Sequence, residues 1–502
     1  MGAAIDDRDV QGLVRFAHGD LTEACFYLLT VVNPAAARSW LSAKSRMVTT
    51  AAKTGSPEDR PKKALQIAFS WEGLRALGFP TSVEGFSLEF MSGMAGDENR
   101  SRRLGDVGAS DPSTWRWGGP GGVPDVLLML YAGEGLPDEW KREIEDEGWS
   151  RAFHLRLRLP TSYLGDREPF GFKDGISQPT LDWEQRPPAK DRGRRYGNVL
   201  APGEFLLGYA NEYGKYTERP LVAASDDPHG LLPEAEGYVG RKDFGRNGTY
   251  LVFRDLQQDV RGFWRFVDEQ AGGDRKTREQ LGALMMGRTM DGEPLVPLVD
   301  DEIAGVEREQ RASNQFTYDD DAAGVRCPIG AHIRRANPRT ADLPAGSTGR
   351  WARILRLLGF GGRGVEDDLV ASARFHRLLR RGREYGERLS VERALSSASI
   401  DGEARGLRFI CLNANITRQF EFVQNAWIMG SKFAGLTDES DPLLGSRTGP
   451  PGRSRADQFS MPVEGGLARR LTGIPQFVSV RGGGYFFLPS MRALRYLAHL
   501  GS

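Results

Sequence analysis

Three segments far apart in the chain carry a carboxylate, an imidazole and a guanidinium: Gly171-Phe172-Lys173-Asp174-Gly175, Ala331-His332-Ile333-Arg334-Arg335-Ala336-Asn337-Pro338-Arg339, and Arg380-Arg381-Gly382. An imidazole can hold a haem iron, a carboxylate can take and return a proton, and a guanidinium can stabilise an oxyanion as it leaves. Peroxide cleavage at a haem requires that set. Singly, each segment is weak, because an Asp-Gly pair is commonly a plain turn, a lone histidine a structural residue and an arginine run a solvated face.

Residues this distant must be gathered by a scaffold, and the hydrophobic pattern says which. Residues 22–32, 64–69, 125–131 and 152–159 read as strands, with helical stretches at 34–50, 71–77 and 137–147. In the last strand Phe153, Leu155, Leu157 and Leu159 alternate with His154, Arg156 and Arg158, the period of a half-buried sheet. The order suits a split βαβ, ferredoxin-like unit. A second round follows: strand 249–254, helix 257–269, strand 406–413, helix 416–429, a strand pair over 477–488 closed by a Gly-rich turn, and a final helix over 490–500. The expected domains are 1–235, ending with the Gly-Phe-Lys-Asp-Gly segment, and 236–502, with the boundary where Pro and Gly interrupt the pattern between Gly230 and Phe244. Residues 182–195 and 340–364 read as surface excursions, the second holding an amphipathic stretch at 351–358.

Composition narrows the function. The chain has 502 residues, 39% of them hydrophobic, enough for substantial cores. Lys plus Arg and Asp plus Glu both number 67, so no polyanionic partner is indicated and nucleic-acid binding is not expected. The three cysteines, Cys25, Cys327 and Cys411, argue against a disulfide framework and for a reducing compartment. Neither a basic-then-apolar start nor an 18-residue apolar run occurs, so the expected setting is cytoplasmic, with no membrane partner. Homo-oligomerisation is left open.

The wording of these segments resembles the dye-decolourising peroxidases, a haem family. The resemblance runs from Asp9-Val10-Gln11-Gly12 and Ala64-Leu65-Gln66-Ile67-Ala68-Phe69 through Asp174 and its following Ser177-Gln178-Pro179. It continues through Arg246-Asn247-Gly248-Thr249-Tyr250-Leu251-Val252-Phe253 and the His332 segment to Gln419-Phe420-Glu421-Phe422-Val423-Gln424 and Val480-Arg481-Gly482-Gly483-Gly484-Tyr485-Phe486-Phe487. It implies an α+β fold of two ferredoxin-like modules, antiparallel sheets flanked by helices, of the dimeric α+β barrel-like kind. It also implies haem b, hydrogen peroxide as oxidant and aromatic reducing substrates such as dyes or phenols. His332 would be the axial iron ligand, Arg339 a propionate partner, Asp174 the distal acid–base and Arg380 the distal cation, with Arg381 in that role if the register slips by one. Leu407 and Phe409 match the apolar pair over the haem face, their plainer role being core packing.

Of the other histidines, His18 and His229 read as exposed turn residues, His154 as polar-face, His376 as part of a basic helix and His499 as terminal. Arg334 and Arg335 are further candidates for propionates, and Cys327 is the runner-up iron ligand. An axial imidazole usually donates its second nitrogen to an acceptor, for which Glu421 is the candidate, a surface carboxylate being its alternative. Two departures stand out. The spacing from His332 to Arg380 is long, as in the longer-bodied members, and Arg383-Glu384-Tyr385-Gly386 replaces a motif that commonly has Pro before Tyr-Gly. The rival functions are a haem carrier in haem or iron handling, and a haem-free interaction module.

Overall fold

The computed structural model describes residues 4–53, 60–81, 83–135, 137–185, 198–298, 313–341, 372–396, 403–448 and 456–501. The 351–358 stretch and most of the 182–195 and 340–364 excursions lie outside the described residues.

Among the described residues, nine strands form one antiparallel sheet. Its first four are β1 (Glu23–Val31), β2 (Lys63–Phe69), β3 (Val126–Ala132) and β4 (Phe153–Pro160), lying side by side as β4-β1-β3-β2. The others are β5 (Thr249–Gln258), β6 (Leu379–Arg380), β7 (Arg383–Tyr385), β8 (Gly406–Asn413) and β9 (Val478–Leu488). They lie as β9-β5-β8, with β6 and β7 in succession along the outer side of β8. Each half therefore places its fourth, first, third and second strands in that order, the ferredoxin-like arrangement. The halves join where Phe487 of β9 pairs with Phe69 of β2. Among the described residues the sheet does not close into a barrel.

Both faces of this sheet are covered, so its inner strands read as unbroken apolar runs: every residue of β3 is buried. One face carries Ile67, Leu128, Val252 and Tyr485, the other Phe26, Leu127, Phe253 and Phe486. Helices follow the first strand of each half, α1 (Pro34–Lys44) and α2 (Val260–Gln270), capped by Asn33 and Asp259. Asp274 caps the next, α3 (Arg275–Met286). The 416–429 region winds wider than an α-helix. Thr417–Glu421 and Val423–Ile428 are π-helical, with amides of Glu421 and Met429 bonding five residues back to Ile416 and Gln424.

The expected strand pair at 477–488 is instead one long strand. Its glycines are not a turn. A Cβ on Gly482 would stand 2.3 Å from Trp117 Nε1, and one on Gly484 2.9 Å from Val123, so the glycines let the 115–123 segment lie flat against the sheet. Among the described residues no helix is long and apolar enough to cross a membrane.

Candidate active site

The Asp174 loop is held by its aromatic residues. Phe172 stacks on Trp264 of α2 at 6.1 Å, and Trp264 Nε1 donates to the Phe170 carbonyl at 3.0 Å. The buried Glu168 carboxylate accepts from the amides of Phe170 and Phe172 at 2.9 and 3.0 Å and from Gln258 Nε2 at 2.8 Å. Burial pushes its pKa up to about 7 against those hydrogen bonds. Gly171, at φ +102°, makes the bend that lets both rings point inward while Asp174 points away.

Arg380 approaches from the sheet. Its amide donates to Gln178 Oε1 at 3.1 Å, which explains the Ser-Gln-Pro after the Asp174 loop, and its Nη1 donates to Asp174 Oδ1 at 2.9 Å. Arg381 faces the other way and bonds the carbonyls of Leu13 and Val14 at 2.6 and 3.0 Å, so Arg380 and not Arg381 is the one beside Asp174. Gly382 has a packing reason. A Cβ there would lie 2.6 Å from the Arg408 carbonyl and 3.0 Å from the Ile410 amide. Gly382→Ala is therefore expected to push β6 and β7 off β8 and to cost about 1–3 kcal/mol, read as a lower denaturation midpoint at unchanged slope. A midpoint equal to wild type would show that the contact yields freely.

His332 opens the short helix α4 (His332–Ala336). Its Nδ1 lies 2.9 Å from Oδ2 of Asp441, a fully buried carboxylate whose Oδ1 accepts from the amides of Leu443 and Leu444 at 2.9 and 2.8 Å. With Nδ1 donating, Nε2 keeps its lone pair, and no described residue hydrogen-bonds it. Burial lowers the imidazole's proton affinity, but the charge and hydrogen bond of Asp441 outweigh it and the pKa ends above the ordinary value. For Asp441, burial raises the carboxyl and His332 brings it below the usual range.

Asp174, Arg380 and His332 lie near one another: His332 feels the charges of Arg380 and Asp174, and Asp174 feels those of Arg380 and His332. Burial is the first influence on Asp174 and His332, yet 32% of the Asp174 side chain, 32% of Arg380 and 23% of His332 is accessible. Groups that are both deep and accessible line a recess. Asp174 is raised by burial, and then lowered further by the charge and hydrogen bond of Arg380 and the Gly175 amide, to end below the ordinary carboxylate value.

Leu407 and Phe409 project from β8, and Phe409 borders a second hollow with Leu104, Leu256, Phe420, Met429 and Leu444. That hollow reaches from β8 to Leu444, near Asp441, and is of mixed character, its polar lining being the buried Arg254–Asp106 pair with Ser110, Gln424 and Gln476.

Several sequence readings need correcting. Glu421 is not beside His332: it accepts from Tyr485 Oη at 2.8 Å and pairs with Arg100 at 3.0 Å, and the acceptor role falls to Asp441. Arg334 bonds Asp321 at 3.2 Å and the Cys327 carbonyl at 2.7 Å, and Arg335 bonds the carbonyls of Trp427, Gly430 and Glu439, so both are engaged by groups of the protein itself. Cys327 is buried, with its thiol pushed up to about 12 by burial, unsuited to be a thiolate ligand. His18 is buried against Tyr131 at 4.9 Å and not exposed, and His376 stacks on Phe422 at 3.8 Å from a 3₁₀ turn and not a helix. Arg339 is buried, at φ +57°, stacked on Phe316 at 3.6 Å, with Nη1 on the carbonyls of Asn314 and Phe316 and Nη2 3.5 Å from Ser177 Oγ.

No family model matches the chain. Dye-decolorizing peroxidase msp1 of Mycetinis scorodonius is 29% identical over 519 residues, covering 98% of this chain and 88% of that protein. Multifunctional dye peroxidase DyP2 of Amycolatopsis sp. is 34% identical over 256 residues, covering 50% of this chain and 49% of that protein. Among solved structures, an ancestral D-type dye decolorizing peroxidase superposes with a TM-score of 0.72 at 26% identity, covering 98% of this chain and 99% of that one. AauDyP complexed with imidazole gives 0.72 at 25% identity, covering 99% and 100%. The likeness to dye-decolorizing peroxidases thus runs along almost the whole length of the chain in both sequence and fold.

Proposed function

We propose that the chain is a haem-dependent peroxidase that reduces hydrogen peroxide and oxidises aromatic donors such as dyes and phenols in one-electron steps. The observation that carries this reading is the meeting of the Asp174–Arg380 pair and His332 around one recess, with the imidazole anchored through Nδ1 by Asp441. The residues fit a haem: a nitrogen with a free lone pair, a carboxylate acceptor behind it, and apolar walls from Leu407 and Phe409. We assign haem b, because none of the three cysteines stands in a Cys-x-x-Cys-His attachment motif. We assign Arg339 to a propionate, since its guanidinium lies where the His332 segment meets Ser177 of the distal loop.

When bound, the haem iron supplies the electrons that reduce peroxide and is restored by the aromatic donor. Asp174, kept ionised by Arg380, takes the proton from one peroxide oxygen and returns it to the other, so that water leaves. Arg380 steadies the negative charge that grows on the departing oxygen. Asp441 fixes the tautomer and orientation of His332 and makes its Nε2 more electron-donating. A carrier would need His332 but neither Asp174 nor Arg380, which is why the enzyme is preferred.

The test is the absorption spectrum of haem-loaded protein before and after one equivalent of hydrogen peroxide. A ferric, imidazole-type spectrum that changes within the mixing time and returns when a phenol is added is the expected result. Haem binding with no response to peroxide would overturn the enzyme in favour of a carrier, and no haem binding would overturn both.

A further inference from the structure

The chain departs from its family's wording at Glu384, and the sheet shows where that carboxylate goes. The β6–β8 and β7–β8 pairings share one register: Arg380 lies opposite Cys411, and Glu384 opposite Leu407. Opposed residues of an antiparallel pair project to the same face. Glu384 therefore stands on the face that carries Arg380, Leu407 and Phe409, and Gly382, between it and Arg380, adds no side chain.

Its carboxylate is half-buried, and no described side chain hydrogen-bonds or ion-pairs with it. The neighbouring charges are otherwise engaged. Arg383, beside it on β7, reaches to the carbonyls of Ala17 and His18 on the opposite face. Arg380 is paired to Asp174 at 2.9 Å and Lys173 to Asp166 at 3.0 Å. On β8 the opposed residue is Leu407, and the adjacent Arg408 is paired with Asp255. The 162 segment touches β7 through the Ser162 amide and the Glu384 carbonyl at 2.8 Å. Burial first, then the charge of Asp174, push Glu384 up to about 7 against its own amide and Arg383. Asp174 moves the other way. Neighbouring acids driven apart in this manner are suited to divide the holding and the release of a proton between them.

We propose that Glu384 is a second proton-holding group of the distal pocket, exchanging its proton with Asp174 through the solvent of the recess and so resetting Asp174 between turnovers. This rests on the peroxidase reading. Glu384 acts through Asp174 and is a positioning residue: no bond is made or broken at it except to a proton, which it takes from Asp174 and passes to solvent, leaving Asp174 ionised for the next peroxide.

Two measurements test it on the full-length chain. In haem-free protein, infrared difference titration of wild type, Glu384→Gln and Asp174→Asn should show a carboxylic acid titrating near neutral pH. That signal should be absent in Glu384→Gln and shifted to lower pH in Asp174→Asn. In haem-loaded protein, the rate of the reaction with hydrogen peroxide should show an inflection near neutrality that Glu384→Gln removes, slowing the reaction at neutral pH on the order of tenfold, and that Glu384→Asp partly restores. A Glu384→Gln titration and pH profile identical to wild type would overturn the proposal. If the wild type does not react with peroxide at all, the peroxidase reading fails, while the haem-free titration still decides whether Glu384 and Asp174 share a proton.

Discussion

Asp174→Asn is expected to bind haem as the wild type does and to react with hydrogen peroxide about 10²- to 10⁴-fold more slowly. The amide is nearly isosteric, keeps a hydrogen-bonding contact with Arg380 and leaves the aromatic anchors of the loop untouched, so shape and binding survive while proton transfer does not. The pH dependence follows from the direction of the Asp174 shift. Arg380 holds the carboxyl below its ordinary 3.8, overcoming the opposing effect of burial. The ionised base form thus persists into acid, and the wild-type rate should fall only as pH drops through that depressed value. The same sign governs stability: the Asp174–Arg380 contact favours the fold above the unfolded carboxyl's pKa and is lost as pH falls through the folded one. Stopped-flow rates measured across acid pH check this. A variant that reacts at the wild-type rate would remove Asp174 from the proton path.

The second large effect is expected behind His332, at Asp441. Asp441→Ala would strand the amides of Leu443 and Leu444 and the Nδ1 hydrogen of His332 in a fully buried position. Breaking a buried charged pair by removing one partner costs about 3–5 kcal/mol. Losing the outer partner of a metal-ligating histidine typically costs about 10- to 100-fold in affinity or activity. Asp441→Asn separates the two consequences in part, since its carbonyl oxygen can still accept from the amides of Leu443 and Leu444 while its NH2 cannot accept from His332 Nδ1. It should be less destabilised than Asp441→Ala and bind haem, with a more positive iron reduction potential, because the imidazole has lost both the charge and the hydrogen bond behind it. Denaturant unfolding of the haem-free protein and a potentiometric titration of the loaded one give the two readouts. An unchanged potential in Asp441→Asn would show that Asp441 serves only as a brace.

The strand pattern and the polar segments were readable in sequence because each is a local signal. Alternation at 153–159 and the apolar run of β3 report the sheet directly, and Asp174, His332 and Arg380 each sit in a phrase of distinctive residues. Asp441 had no such phrase. It lies 109 residues from His332 in a Ser-Asp-Pro turn whose local reading is capping of the following amides, and only the tertiary fold reveals that its other oxygen takes an imidazole. Arg334 and Arg335, read as propionate candidates, and His18, read as an exposed turn residue, differ for a related reason. A charged or polar residue looks available until its partners are known, and theirs are backbone carbonyls, acids and rings contributed by other segments. The Gly-rich run of β9 reads as a turn unless one knows that Trp117 lies across it.

The π-helical stretch after β8 carries an implication for how this chain can vary. A π winding holds more residues per turn than an α-helix, so it behaves as an α-helix into which residues have been inserted. Deleting one would restore regular winding, and everything beyond the cut would rotate by about 100° about the axis. The Trp427 carbonyl would then leave Arg335, three residues along from His332, and the Gln424 side chain would leave the Leu104 carbonyl. Substitutions in this stretch trade one contact for another, but a deletion changes them all at once. Among homologues, the span from 417 to 428 should therefore vary in spelling far more readily than in length.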